Sequence, residues 1–353
     1  MNIHLPPRSI ATLVLAAALL VVSDCRRVAQ EQRNTVTPDA EGTFSRGLSV
    51  WTSRALPIPH VIMHGLLCTE GTICIAVGRA DAGGRIFRSG DAGTHWTNTA
   101  IPDGISDVYA VACRSDSRCI ATASQATPAD GILLVSDDAA QTWKPAVLPY
   151  PGTPQIISCY SDGCLLTLRS GGGDSLLSSS NGGSSWTVVR DPANPGDAVQ
   201  GIWCFDSVGC WLSVGTDAAQ LYVSSNLGTS WRPTRIGAAF PIAGVVCDAP
   251  TDCWASGMSG LFRTPDSGES WEKHTTHPTL IGTGLVACGT SGTCVTIMSN
   301  IETRSPVSIF YRRDGRIDTV AHPLPPSARL RGLACSGQTR CVVVGDDLIL
   351  TEG

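Results

Sequence analysis

Beyond residue 22 the apolar residues of this chain never settle into a helical rhythm. They come in short runs that end on, or begin with, a cysteine. Gly65–Cys68 (GLLC), Val108–Cys113 (VYAVAC) and Gly284–Cys288 (GLVAC) end on one; Cys74–Gly78 (CIAVG), Cys119–Ser124 (CIATAS) and Cys341–Gly345 (CVVVG) begin with one. Such runs, bounded by polar turn residues, are the signature of strands. Each unit therefore reads as strand, tight polar loop, strand, with a Cys at each edge of the loop. The pairs are Cys68/Cys74, Cys113/Cys119, Cys159/Cys164, Cys204/Cys210, Cys247/Cys253, Cys288/Cys294 and Cys335/Cys341, and successive first cysteines lie 41–47 residues apart.

A second repeat keeps the same period. Ser/Thr-x-Asp/Asn-x-Gly-x-x-Trp reads SGDAGTHW at Ser89–Trp96, SSNGGSSW at Ser179–Trp186, SSNLGTSW at Ser224–Trp231 and TPDSGESW at Thr264–Trp271. SDDAAQTW at Ser136–Trp143 has Ala140 for the glycine, and RRDGRIDT at Arg312–Thr319 has lost its Trp. In these boxes Asp91, Asp138, Asn181, Asn226 and Asp266 are placed to accept backbone N–H groups of their own turn. The glycine allows positive φ. Trp96, Trp143, Trp186, Trp231 and Trp271 each supply a large ring to bury. Read as a ligand site, D-x-G in a two-strand turn supplies too few oxygens for calcium.

A period of about 40–50 residues predicts four-stranded sheets closing into a propeller. The expected fold is all-β: a seven-bladed β-propeller with Asp-box turns and one local disulfide per blade, over residues 50–353. A representative blade runs from strand a (Val108–Cys113) through b (Cys119–Ala123) and c (Ile132–Ser136) to d near Trp143. Leu348–Gly353 (LILTEG) reads as a strand c and Val50-Trp51-Thr52 as a strand d. Together they would complete one blade and remove the open edges.

The cysteine spacing leaves two chemistries. Residues facing across a hairpin have close Cβ atoms, which suits a disulfide. Zinc is the rival, but C-x₅-C is longer than the usual knuckle, only Cys159/Cys164 falls inside that range, and histidines are few and scattered. Disulfides are the favoured reading, and seven of them require an oxidising compartment. The N-terminus agrees. Arg8 followed by the 13-residue apolar stretch Ile10–Val22 reads as a secretory signal, too short for a comfortable span. Residues 1–25 are taken as that signal and 26–49 as a flexible tether. Cys25, the fifteenth and odd cysteine, sits where a bacterial lipoprotein carries its lipid, although Val22-Ser23-Asp24 is a poor lipobox. The 37 Gly and 22 Pro fit many turns, and a net charge of −5 argues against nucleic acid or an anionic membrane as partner. No cofactor or metal is expected, and a monomer is.

The box and its period resemble the BNR/Asp-box repeat propellers, a family that includes sialidases, sortilin-type receptor domains, some glucan hydrolases and photosystem II assembly factors. The resemblance covers roughly Trp51–Gly353. It implies the propeller fold, but the box is common to enzymes and binders alike. It also implies that the a–b and c–d turns lie on one face, here the Cys loops and boxes, and that the d–a and b–c loops form an open face used for chemistry or binding.

On that open face Arg and Asp dominate. Arg79, Arg85, Arg169, Arg304 and Arg331 are the binding candidates, because a guanidinium fork suits carboxylate or phosphate. His60, His64, Asp103, Asp107, Asp197, Gln200 and Arg329 join them. A sialidase-like site needs an Arg triad, a Tyr–Glu pair and an acid/base Asp. Arg54-Ala55-Leu56-Pro57 is a loose echo of the first-blade motif. Of the glutamates only Glu302 falls in an open-face loop, with Tyr311 displaced toward the box side; Glu70 and Glu269 fall on the wrong face. Asp81, Asp130, Asp174 and Asp217 could supply a glucanase-like carboxylate pair, but no spacing singles one out. Trp203, Trp211 and Trp254 beside the Cys pairs read as core or as sugar-stacking platforms. The expectation is a non-catalytic binding or scaffold propeller, secreted or at the envelope, recognising a protein or glycan, with membrane contact only through a lipid on Cys25. The alternative is an exo-acting glycoside hydrolase.

Overall fold

The computed structural model describes residues 51–352 apart from short stretches at 55, 127–130, 172, 190–197, 216–219, 239, 275–279, 290–292, 301, 303–305, 313–316, 322–328 and 338–339. The predicted signal, the tether and Cys25 lie outside the described residues. Residues 48–353 form one compact unit.

Among the described residues the strands pair into antiparallel four-stranded sheets in the order a-b-c-d. Six sheets are continuous stretches of chain, at 62–98, 105–146, 153–189, 199–234, 242–273 and 280–321, called blades 1 to 6. The expected seven-bladed count is corrected to six continuous blades. The last pair belongs to a composite closing sheet of Leu330–Ser336, Arg340–Gly345 and Leu348–Glu352, whose outermost strand is Trp51–Arg54 from the other end of the chain. Trp51 faces Glu352 and Arg54 faces Ile349 across that junction. The innermost strands then touch in turn around a ring, including blade 6 with the closing sheet and the closing sheet with blade 1. Strand bounds also shift from expectation. In blade 2 strand a begins at Ile105 rather than Val108, while strand d, Lys144–Ala146, begins beside Trp143 as expected.

The core is not central but lies between blades. Ile75 and Val77 of blade 1 pack with Val108 and Ala121 of blade 2, and Leu165 and Leu176 of blade 3 with Ile202 and Leu212 of blade 4. Each box Trp joins the cluster its blade shares with the blade before it: Trp143 with Ile75, Trp186 with Ile120, Trp96 with Val342. Trp51 does the same for the closing sheet, against Val295 and Ile297 of blade 6. The sixth box has Thr319 at the Trp position. There the buried ring comes from the opposite side, as Trp254 of blade 5 packs with Cys294 and Met298 of blade 6.

Five boxes share one hydrogen-bond circuit. The leading Ser or Thr hydroxyl donates to the Asp or Asn Oδ1 at 2.8–3.0 Å and accepts the N–H of the fifth residue at 2.7–2.9 Å. The same Oδ1 accepts the N–H of the seventh residue at 2.8–2.9 Å. The fourth residue, at positive φ, donates its N–H to the Cys loop of its own blade, as Ala92 does to Thr72 and Leu227 to Val208. That bond puts boxes and Cys loops on one face. The fifth residue also has positive φ, and Ala140 adopts it at 60° without glycine's freedom.

Among the described residues, seven disulfides close the a–b hairpins between directly opposed residues. They join Cys68 to Cys74, Cys113 to Cys119, Cys159 to Cys164 and Cys204 to Cys210. The other three join Cys247 to Cys253, Cys288 to Cys294 and Cys335 to Cys341. The pairing and the placement at the loop edges are as expected; what the structure adds is burial. The sequence sets both cysteines of a pair alike at the edge of a polar loop. At that edge the structure buries the second one, which opens strand b, in the core between blades. Cys74, Cys164, Cys210 and Cys253 are 0% exposed. Cys164 packs with Ile120 and Leu166, Cys210 with Leu212 and Leu227, and Cys253 with Trp211 and Ala255. The reason is position in the sheet: strand b lies between strands a and c, whereas strand a faces the channel. The first cysteine of each pair stays partly exposed, so the bridge runs from the surface of the Cys loop into the core. A loop this short contributes about 2 kcal/mol per bridge in the chain-entropy model.

The innermost strands converge so closely that some positions admit no side chain. A Cβ on Gly244 of blade 5 would lie 1.9 Å from the Gly284 carbonyl oxygen of blade 6. Gly244→Ala should therefore lower stability by about 1–3 kcal/mol in urea denaturation, since backbone, not a mobile side chain, must move. An unchanged midpoint would mean the strands part freely.

The box carboxylates make a second prediction. Asp138 is held at about 2 by the Thr142 hydroxyl and N–H, with the Ser136 hydroxyl assisting. Burial opposes ionisation of Asp91, but the His95 N–H and ring and the Ser89 hydroxyl outweigh it and hold this group at about 2 as well. Their folded pKa values lie below the ordinary 3.8, so the stability they contribute is present above about pH 4 and is lost as pH falls toward 2. Asn181 and Asn226 make the same circuit without titrating. Asp138→Asn should keep the urea midpoint at pH 7 and lose less between pH 4 and pH 2 than the parent; an identical acid limb would uncouple the box from folding.

Candidate functional site: the open face and channel mouth

On the innermost strands the sheet ladder slips at one repeated place. In every a–b pair the register breaks at, or across, the residue four before the first cysteine: His64, Tyr109, Gln155, Gln200, Ala243, Gly284 and Arg331, the break taking in Ile156 as well in blade 3 and Thr283 and Leu285 in blade 6. A bulged residue opposes no partner of its own, and its side chain is re-aimed. Burial follows the slip. Val199 and Gly201 are buried while Gln200 between them is exposed, and the same holds for Ala243 between Ile242 and Gly244. Strand a is the innermost strand of each sheet, so these side chains stand around the channel mouth near the open face.

Neighbours hold several of them. His64 Nε2 lies 3.1 Å from the Asp107 carboxylate, which Arg79 Nε approaches at 3.9 Å. Asp107 also accepts the N–H of Val108. The Tyr109 hydroxyl is 2.9 Å from Ser124 Oγ, and the Tyr109 and His64 rings are 6.2 Å apart. Arg331 reaches Asp346 at 3.3 Å. Beside this ring, between the open ends of blades 1 and 2, lies a groove of 650 Å³. His60, Arg79, Asp81 and Ser106 give it polar walls, and Ile62 and Ile105 an apolar floor.

The sequence candidates disperse. Arg79 and Asp81 share the groove. Arg85 donates to the Gly84 carbonyl at 2.7 Å. Asp174 is 6% exposed and fully engaged: Arg169 donates to both of its oxygens at 2.9 and 3.1 Å, and Val199 N–H of the next blade reaches it at 3.2 Å. It is a clasp between blades 3 and 4 rather than a free acid, and the hydrogen bond to Asp174 raises the pKa of Arg169. Glu302 is exposed on blade 6, two blades from Asp81 around the ring. Asp130, Asp217 and Arg304 lie outside the described residues, as does Asp197. Trp211 and Trp254 are buried, and Trp211 packs edge-on to Trp271 at 5.6 Å, so neither is a sugar platform. Among the described residues no group of three His, Cys, Asp or Glu could hold a metal ion. The ring itself was missed in the sequence, with Tyr109 and Gln155 not singled out. Aligning the repeats on their first cysteine exposes it, because a polar residue stands in five of seven strands that are otherwise apolar.

No protein-family model matches the chain, and no curated protein matches it. Solved structures do. YCF48 bound to a D1 peptide superposes with a TM-score of 0.66 at 13% identity, over 87% of this chain and 97% of that one. Streptogramin B lyase gives 0.66 at 14% identity, over 86% and 97%. A GH74 enzyme of Niastella koreensis gives 0.67 at 12%, over 85% of this chain and 53% of that one. These neighbours are β-propellers, and they include binding proteins and enzymes alike. The clasp of Asp174 makes a prediction that separates scaffold from site. Asp174→Ala should cost about 1–3 kcal/mol in urea denaturation by leaving the Val199 N–H and the Arg169 guanidinium without their partner. A variant as stable as the parent would return Asp174 to the pool of free open-face acids. At such identities the likeness establishes the fold, and what is shown is that this chain is a β-propeller whose seven disulfides fit an oxidising compartment.

Proposed function

We propose that this chain is an exported, non-catalytic binding propeller of Asp-box type, which holds a protein or glycan at the cell envelope through its open face. Residues 1–25 would direct export, 26–49 would tether the propeller, and Cys25 would carry a lipid where an anchor is used. The observation that carries the reading is the open-face groove between blades 1 and 2, polar at its walls and apolar at its floor, beside a channel mouth ringed by re-aimed side chains. A concave site with a few convergent polar groups is the usual form of a recognition site. All boxes and disulfides with described positions brace the opposite face, which leaves the open face to vary.

The glycoside-hydrolase reading has less to stand on. Asp174 is engaged in the clasp, and Asp81 and Glu302 sit on separated blades, so these candidates supply no facing pair. The two readings part in one experiment. A photo-crosslinking residue at Ala82, on the groove rim, is compared with one at Val188, exposed on the outer strand Thr187–Val189 of blade 3, in envelope preparations. An adduct at 82 but not at 188, lost with Arg79→Ala, is expected. Equal adducts at both positions, or turnover of sialosides or glucans by the purified oxidised protein, would refute the proposal.

A further inference from the structure

We propose, on the reading that the open face binds, that the arc Arg331–His64–Tyr109–Gln155–Gln200 recognises the terminal sugar of a neutral glycan seated in the channel mouth. The arc is contiguous. It runs from the closing sheet through blades 1, 2, 3 and 4, each side chain standing on the bulge of its innermost strand. The remaining two bulges bring Ala243 and Gly284, so one side of the ring is bare. The rest of an oligosaccharide has room to leave there. Phe240 and Met258, 48% and 58% exposed on blade 5's open side, offer apolar surface for its C–H faces.

Three observations point to this ligand chemistry. First, the charges of the arc are answered from within: Arg331 by Asp346 at 3.3 Å and His64 by Asp107 at 3.1 Å. Little net charge is left for an anionic ligand. Second, the side-chain amides of Gln155, half-buried, and Gln200 have no partner among the described residues. An amide offers both donors and an acceptor, as a sugar hydroxyl does, and a partly buried amide without a partner is costly unless water or a ligand meets it. Third, the arc converges from a circumference. A pyranose radiates its equatorial hydroxyls around its ring, whereas a peptide strand presents its groups along two edges. The Asp107 and Ser124 contacts hold His64 and Tyr109 in place before any ligand arrives, which spares ordering cost.

The test uses the oxidised full chain and a panel of gluco-, manno-, galacto- and xylo-configured oligosaccharides, with sialylated and uronic counterparts, followed by calorimetric titration of the hits. Binding of a neutral oligosaccharide is expected. Gln155→Ala with Gln200→Ala should weaken it at least tenfold with the melting transition unchanged. Ala243→Trp, which removes no donor but fills the bare side, should weaken it as well. Preference for the acidic sugars, indifference to both variants, or no binding across the panel would each overturn the proposal. The Ala82 crosslink separates the two failures. An adduct there without glycan binding leaves open-face recognition standing, with a peptide as the occupant to pursue; loss of both removes the two together.

Discussion

A four-stranded sheet with two apolar faces is stable only when another sheet lies on each of them, and the rest of this structure depends on meeting that demand in a circle. Ile75 and Val77 need blade 2 as much as Val342 and Val344 need blade 1. No blade can be terminal. The demand is met by the junction of Trp51–Arg54 with Leu348–Glu352, which turns a linear array into a ring and covers the outer edge of Leu348–Glu352. Closure then dictates local chemistry. Where the innermost strands crowd, Gly244 has no alternative. Where the blades splay outward, a Trp fills the wedge from each described box.

Boxes and disulfides answer a different problem. The outermost strands are two to five residues long and give little pairing energy of their own. In five blades the Ser–Asp circuit pins the turn before that strand, and its fourth residue ties the turn to the Cys loop, which the disulfide clips in turn. One face is thereby cross-braced from axis to rim. The open face carries fewer such ties and owes its form to d–a and b–c loops, where side chains are free to differ between blades. A rigid brace on one side lets the other side specialise.

The repeat was plain in the sequence because both of its marks are local. A Cys pair five or six apart and a Ser-x-Asp-x-Gly-x-x-Trp box each report a turn whose geometry is set by neighbouring residues. The face assignment came with the resemblance to Asp-box propellers that those turns carry. What the spacing of the pairs did not reveal is that Cys164, Cys210 and Cys253 lie in the core, since the neighbouring blade that covers each sulfur is remote in sequence. The candidate site was only half visible. His64, Gln200 and Arg331 stood out as polar residues near open-face loops, whereas Tyr109 and Gln155 passed as strand residues. Asp174 looked like a free acid because nothing in its own loop reveals the Val199 N–H 25 residues away. Arg79 and Asp81 were legible as groove residues only once blade 2 lay beside them.

The sequence by itself determined the strands, the turns, the disulfide partners and the period, since each is written within a few residues of chain. Tertiary structure alone decided which residues share a site. The bulges are a property of pairing between strands a and b, invisible in either strand alone. The ring they form joins residues 64 to 331, brought to one mouth by closure. The same closure decided the register in which the two chain ends meet, Trp51 opposite Glu352 and Arg54 opposite Ile349, because the open edge at Leu348–Glu352 is satisfied only by pairing with a strand remote in sequence.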